Sequence, residues 1–173
     1  MLFLDNLTNT VRDDLRKTIR KGSRVSIAAA CFSVYAYQEL KEQLEGVEEL
    51  RFLFTSPTFL KEKVPKAKRE FYIPRLNRER SIYGTEFEVK LRNELTLKAI
   101  SRECADWVRR KVTFKSNTTQ EQMPGFITVG ESTYMPINGF TTVDLGCERG
   151  NNVYNFVTRT EASENSRQYL RLF

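Results

Sequence analysis

The chain has 173 residues, 40% apolar and 29% charged, with 28 Lys and Arg against 22 Asp and Glu for a net charge of +6. That length suits one domain with its own core, and no apolar run approaches the roughly 20 residues that span a bilayer, so a cytoplasmic protein with no membrane partner is expected. There is no histidine, which removes Ser-His-Asp and Cys-His nucleophile activation, His-based zinc sites and every imidazole base.

Met1-Leu-Phe-Leu is apolar but meets Asp5 at once, with neither a basic leader nor a small-residue cleavage site, and is not read as a signal peptide. Residues 5–21 are predicted to form an amphipathic helix with Leu7, Val11, Leu15 and Ile19 on one face, closed by Gly22. Residues 22–55 read as a strand–helix–strand unit. Ser23-Arg-Val-Ser-Ile-Ala-Ala-Ala-Cys-Phe32 has no charge after Arg24, as a strand covered on both faces requires. Ser33 is placed to cap a helix with Tyr37, Leu40 and Leu44 in one stripe and Gly46 at its end, and Glu49-Leu-Arg-Phe-Leu-Phe-Thr55 returns to a strand. Two strands joined by a helix lie parallel with a right-handed crossover, so the fold class is α/β.

Residues 61–80 change character. Lys61, Lys63, Lys66, Lys68, Arg69, Arg75, Arg78 and Arg80 outnumber Glu62, Glu70 and Glu79, which puts +5 of the chain's +6 in this stretch. Pro65 and Pro74 argue against a continuous helix, and Phe71, Tyr72 and Ile73 sit inside the positive run. Cations interleaved with aromatics suit a nucleic-acid strand, because phosphates pair with Lys and Arg while bases stack on rings. A solvated loop with one apolar tripeptide tucked inward is the alternative reading.

A long helix is predicted from about residue 85 to 111, with Phe87, Leu91, Leu95, Ala99, Ile100, Cys104, Trp107 and Val108 on one side. Trp107 reads as core, and Arg109, Arg110 and Lys111 suit the negative end of the helix dipole. Short β segments follow at 112–115, 125–129, 133–137, 140–143 and 153–158. A turn is expected at Glu131-Ser132, and Asn138-Gly139 is a hairpin signal. A last helix begins at residue 164, and the stop at Leu172-Phe173 reads as a domain cut from a longer protein.

Cys31, Cys104 and Cys147 are odd in number and far apart, so free thiols are expected rather than a disulfide framework. No Cys-x-x-Cys, Walker loop or Gly-x-Gly-x-x-Gly occurs. No cofactor and no metal are expected.

In their order these segments resemble the phospholipase D-like half domain found at the N-terminus of bacterial Swi/Snf-type or DEAD/DEAH-type helicases. The stretches that carry the resemblance begin at Lys21-Gly-Ser-Arg-Val-Ser, Leu50-Arg-Phe-Leu-Phe-Thr-Ser-Pro57, Glu103-Cys-Ala-Asp-Trp-Val-Arg-Arg and Pro136-Ile-Asn-Gly-Phe-Thr-Thr-Val-Asp-Leu-Gly146. The resemblance implies a single domain over 1–173, with a mixed, mainly parallel sheet flanked by helices on both faces. Active members of that family carry a His-x-Lys strand followed by a Gly-Ser-x-Asn strand end. Here Met123 stands in the place of the histidine and Gly125 in that of the lysine, while Gly139 is kept and Thr142 takes the place of the asparagine. The implied member is degenerate and does not cleave. The family's strand end at residue 139 competes with the hairpin reading of Asn138-Gly139.

Loops at the carboxyl ends of the strands would form the crevice, with Ser33, Ser56, Thr141 and Thr142 as neutral phosphate-binding candidates. Ser33 and Ser56 are equally a helix cap and a turn residue. Three functions follow from these readings. One is a nucleic-acid-binding or targeting module, with DNA the expected partner and Lys61, Lys63, Lys66, Lys68, Arg69, Tyr72, Arg75, Arg78 and Arg80 as contacts, in a protein whose ATP-dependent helicase domains lie further along. Another is an interaction domain that pairs with a second half domain, as in a homodimer. The third is an active phosphodiesterase with replaced chemistry.

Overall fold

The computed structural model describes residues 1–55, 86–119, 121, 123–148 and 156–173, with only the helical backbone at 86–98 and 163. In chain order its elements are β1 (Leu2–Leu4), α1 (Val11–Thr18), β2 (Arg24–Ala29), α2 (Val34–Glu39), α3 (Lys41–Glu45), β3 (Glu49–Phe54), α4 (Glu86–Lys111), β4 (Val112–Ser116), β5 (Phe126–Val129), β6 (Ser132–Met135), β7 (Val157–Glu161) and α5 (Ser163–Leu170). The strands form one sheet in the order β1-β7-β6-β5-β2-β3-β4.

The uncharged run of β2 is what lets it sit in the middle. Its five residues after Arg24 are all buried, and their side chains alternate between two apolar clusters. Val25, Ile27 and Ala29 join the larger cluster with Val11 and Leu15 of α1, Tyr37 of α2, Leu44 of α3 and Trp107 of α4. Ala28 joins a smaller one with Leu53 and Phe126, against which Met123, Met135, Tyr169 and Phe173 pack.

The α/β class holds, but the sheet is not mainly parallel. β2–β3 and β3–β4 are parallel, while the other four pairings are antiparallel. The links between the parallel neighbours carry α2–α3 and α4, whereas β5 and β6 are joined by Gly130-Glu131, with Gly130 at φ +59°. This tight turn also replaces the hairpin expected at Asn138-Gly139: neither residue takes the positive φ that such a turn needs.

The first helix begins at Val11 rather than residue 5. Asp5 Oδ1 accepts the backbone N–H groups of Leu7, Thr8 and Asn9 at 2.9, 3.0 and 2.8 Å, which folds 5–9 into a carboxylate-centred turn. Leu7 is therefore exposed, not on the buried face, and Thr10 is the true cap, accepting from Asp13 N–H. The predicted helix after Ser33 is two short ones that meet at Leu40, with Tyr37, Leu40 and Leu44 all buried as the stripe required. The expected strand at 153–158 is displaced: Val157 opens β7, Phe156 is outside it, and 153–155 lie outside the described residues. The apolar N-terminus forms β1, which pairs with β7.

Trp107 is core. It is fully buried, packs at a tilt on Tyr37 with ring centroids 4.8 Å apart, and donates from Nε1 to the Leu44 carbonyl at 2.9 Å. Lys111 at the helix end donates to Val47 O just before β3. The rest of α4 therefore rises from there past Trp107, which stacks on Phe32 beyond the end of β2. Its N-terminus is directed toward the edge where β2 and β3 end.

Candidate functional site

At that edge the chain past β2 is joined by a segment more than a hundred residues away. Ala30 N–H donates to Asn138 O at 2.9 Å, Phe140 N–H to Cys31 O at 2.8 Å, and Ser33 N–H to Phe140 O at 2.9 Å. Phe32 and Phe140 thus form a parallel bridge, and their rings lie 5.4 Å apart. Two of the sequence-derived candidates, Ser33 and the 139–142 stretch, come together here. So do the stretches 123–125 and 137–142, because Ile137 N–H donates to Gly125 O at 2.9 Å.

At Gly125 the space for a side chain is closed by the chain itself. A Cβ at Gly125 would fall 1.7 Å from Ile137 O, so no side chain of any kind fits there without moving backbone. Met123 packs into the smaller apolar cluster. Gly139 is buried, and a Cβ on it would meet Cys31 Sγ at 2.8 Å and Asp144 Oδ2 at 3.0 Å.

Asp144 is the residue that sequence reading missed. Its carboxylate is buried, accepts from Thr141 Oγ1, and its own N–H returns a bond to Thr141 Oγ1 at 3.1 Å. Thr141 is thereby committed locally. Thr142 is also buried, and its carbonyl accepts from Cys147 N–H at 2.8 Å. Ser33 Oγ caps α2 by accepting from Tyr35 N–H at 3.2 Å and keeps its own proton for donation from a half-buried position. Ser56 lies outside the described residues, as do Lys61, Lys63, Lys66, Lys68, Arg69, Tyr72, Arg75, Arg78 and Arg80.

Asn117, between the segments expected at 112–115 and 125–129, ties this edge together. Buried past the end of β4, it donates from Nδ2 to Thr55 O at 3.0 Å and to Glu121 O at 2.8 Å, and its Oδ1 accepts from Thr119 N–H at 2.9 Å. Thr55 N–H in turn donates to Ala29 O at 3.1 Å. A strand-terminating Asn followed two residues on by Thr is the local signal that was present.

Burial pushes the Cys147 thiol up to about 11, so it is protonated at neutral pH. Burial also raises the phenols of Tyr37 and Tyr134 well above their usual range. Among the described residues no three or more His, Cys, Asp and Glu side chains gather as metal ligands, and no helix is long and apolar enough to cross a membrane. Comparison of the chain with protein-family models, curated proteins and solved structures gave no match.

Proposed function

We propose that this chain is a non-cleaving, phospholipase D-like nucleic-acid-binding module, with helices on both faces of its sheet, that belongs to a bacterial helicase-type protein. The observation that carries the reading is the meeting of 123–125 with 137–142 beside the end of β2, the juxtaposition that a phospholipase D-like half site needs, combined with backbone closure at Gly125. A scaffold that can no longer cut retains its capacity to hold. The basic stretch 61–80 supplies the holding charge, and it belongs to the connection that leaves β3 at this same edge. DNA phosphates on its lysines and arginines, with a base against Tyr72, is the contact proposed.

The test is a fluorescence-anisotropy titration of a labelled oligodeoxynucleotide at several salt concentrations. Binding that weakens linearly in log–log form as salt rises, and that fades when Lys61, Lys63, Lys66, Lys68 and Arg69 are changed to Gln, supports the reading. Affinity that is absent at low salt, or independent of salt, refutes it. Cleavage of the oligonucleotide by pure protein would replace it with the phosphodiesterase reading.

A further inference from the structure

Asn138-Gly139 is the one Asn-Gly step of the sequence, and the fold does not use it as a turn. Packing requires the glycine: a Cβ there would meet Cys31 Sγ at 2.8 Å, Asp144 Oδ2 at 3.0 Å and Thr141 Cγ2 at 3.2 Å. Asn138 itself is exposed. A carboxamide open to water thus stands directly before a residue with no side chain to shield its nitrogen, the arrangement in which asparagine deamidates most readily.

The reaction needs only water and hydroxide. Gly139 N, after giving its proton to hydroxide, attacks Asn138 Cγ. The Cγ–Nδ2 bond breaks, and the nitrogen leaves as ammonia with a proton from water. In the succinimide that results, the ring holds Gly139 N together with Cα, Cβ, Cγ and the main-chain carbonyl carbon of residue 138. Water that breaks the bond from nitrogen to Cγ leaves an aspartate. Water that breaks the bond from nitrogen to the main-chain carbonyl carbon leaves an isoaspartate, in which the chain runs through Cβ and Cγ and is one atom longer.

The bonds at this edge restrain the first step. The torsion about Asn138 Cα–C sets together the direction of its carbonyl oxygen and the position of Gly139 N, and Ala30 N–H holds that oxygen at 2.9 Å. The neighbours are held as well: Ile137 N–H donates to Gly125 O at 2.9 Å, while Phe140 donates to Cys31 O at 2.8 Å and accepts from Ser33 N–H at 2.9 Å. The Phe32 and Phe140 rings, 5.4 Å apart, pack across the bridge. Carrying Gly139 N to bonding distance of Cγ turns the held torsion and takes the oxygen off Ala30.

We infer that Asn138 is a deamidation site gated by the pairing of residues 138–140 with residues 30–33, and that an isoaspartate formed there keeps the pairing from closing again. The isoaspartate turns the oxygen that met Ala30 N–H into a pendant carboxylate and adds a main-chain atom before the Phe140 N–H that met Cys31, so restoring one bond displaces the other. None of this depends on the nucleic-acid reading.

The test incubates the whole chain at mildly alkaline pH, folded and in urea, and follows position 138 by peptide mapping. The map reads the amide-to-acid mass gain and separates the isoaspartyl peptide from the aspartyl one. Position 138 should convert readily in urea and about tenfold or more slowly in the folded chain, since a local opening that costs about 1.4 kcal/mol already slows a gated reaction tenfold. A folded chain that converts as fast as the unfolded one, or an unfolded chain in which position 138 stays intact, overturns the inference. Phe140→Ala, which removes a ring from the bridge, should convert faster than the parent while folded, and Phe140→Leu covers the case in which it does not fold. A folded variant no faster than the parent removes the gate. Asn138→Asp carries the added charge on an unlengthened chain, so the isoaspartyl form, made in urea, purified and refolded, should unfold at lower urea than this variant. Equal midpoints overturn the claim that the pairing stays open.

Discussion

Gly125 and Gly130 sit five residues apart on the same strand-and-turn path, and they are glycine for different reasons. At Gly125 the backbone of Ile137 occupies the place of a side chain, 1.7 Å from the Cβ position. At Gly130 nothing lies within 4 Å, and only the φ of +59° disfavours a side chain. Gly130→Ala should therefore cost about 1 kcal/mol, the penalty of a left-handed conformation with no clash. Gly125→Ala must separate two backbones that are hydrogen-bonded to each other, so a loss of about 2 to 4 kcal/mol is expected. Urea unfolding of the two variants checks the ordering, and equal midpoints would show that the 123–125 and 137 segments are not in contact. The same closure means that Gly125→Lys does not fit without moving the Ile137 backbone.

Among the elements, the α2–α3–α4 packing turns on one side chain. Trp107 is the sole tryptophan, is fully buried and donates to the Leu44 carbonyl within α3. Trp107→Ala should cost about 3 to 5 kcal/mol. In the parent, emission should be blue-shifted and should move red in a single step with urea, in parallel with the circular dichroism. A red-shifted native spectrum would contradict the burial. This packing was legible in the sequence because helical periodicity put Cys104 and Trp107 on one side and the Tyr37, Leu40 and Leu44 stripe opposite. β2 and β3 were legible for the same reason, their apolar runs being local. What was not legible depended on side chains competing with the backbone or on distant pairing. Asp5 captures three N–H groups and delays α1, a three-residue strand such as β1 is too short to show a period, and Asn138-Gly139 looks like a turn until residues 30–33 claim it. At the candidate site the meeting of Ser33 with 139–142 was reachable through the rule that loops at strand ends gather in one crevice, whereas buried Asp144 and Asn117 carried no periodic signature.

For the molecule as a whole, the ionisable groups that respond to folding lie toward the two ends of the pH scale. Hydrogen bonds from Thr8 and from the N–H groups of Asn9 and Leu7 hold the Asp5 carboxyl far below its usual range. Asp13 is lowered first by its bond to Arg12, and Glu48 by its bond to Arg24. A depressed folded pKa gives stability that is present above the unfolded value, about 4 for a carboxyl, and is lost as pH falls through the folded value. Burial raises the phenols of Tyr37 and Tyr134, and a raised folded pKa gives stability that is present below the unfolded value, about 10, and is lost as pH rises. With no histidine in the sequence, imidazole titration contributes nothing in between. The Cys147 thiol, raised to about 11 by burial, adds a loss that begins above the free thiol value of about 8.5. Urea midpoints should therefore be level from about pH 5 to about pH 8, fall below about pH 4 and fall progressively above about pH 8.5. Asp5→Asn should soften the acid fall, since an amide keeps an acceptor for the turn but does not titrate, and Tyr134→Phe should soften the alkaline one. A step in the midpoint between pH 6 and 7 would mean that a group other than these governs the fold near neutrality, and an acid fall unchanged by Asp5→Asn would mean that the turn at residues 5–9 is not held by its carboxylate.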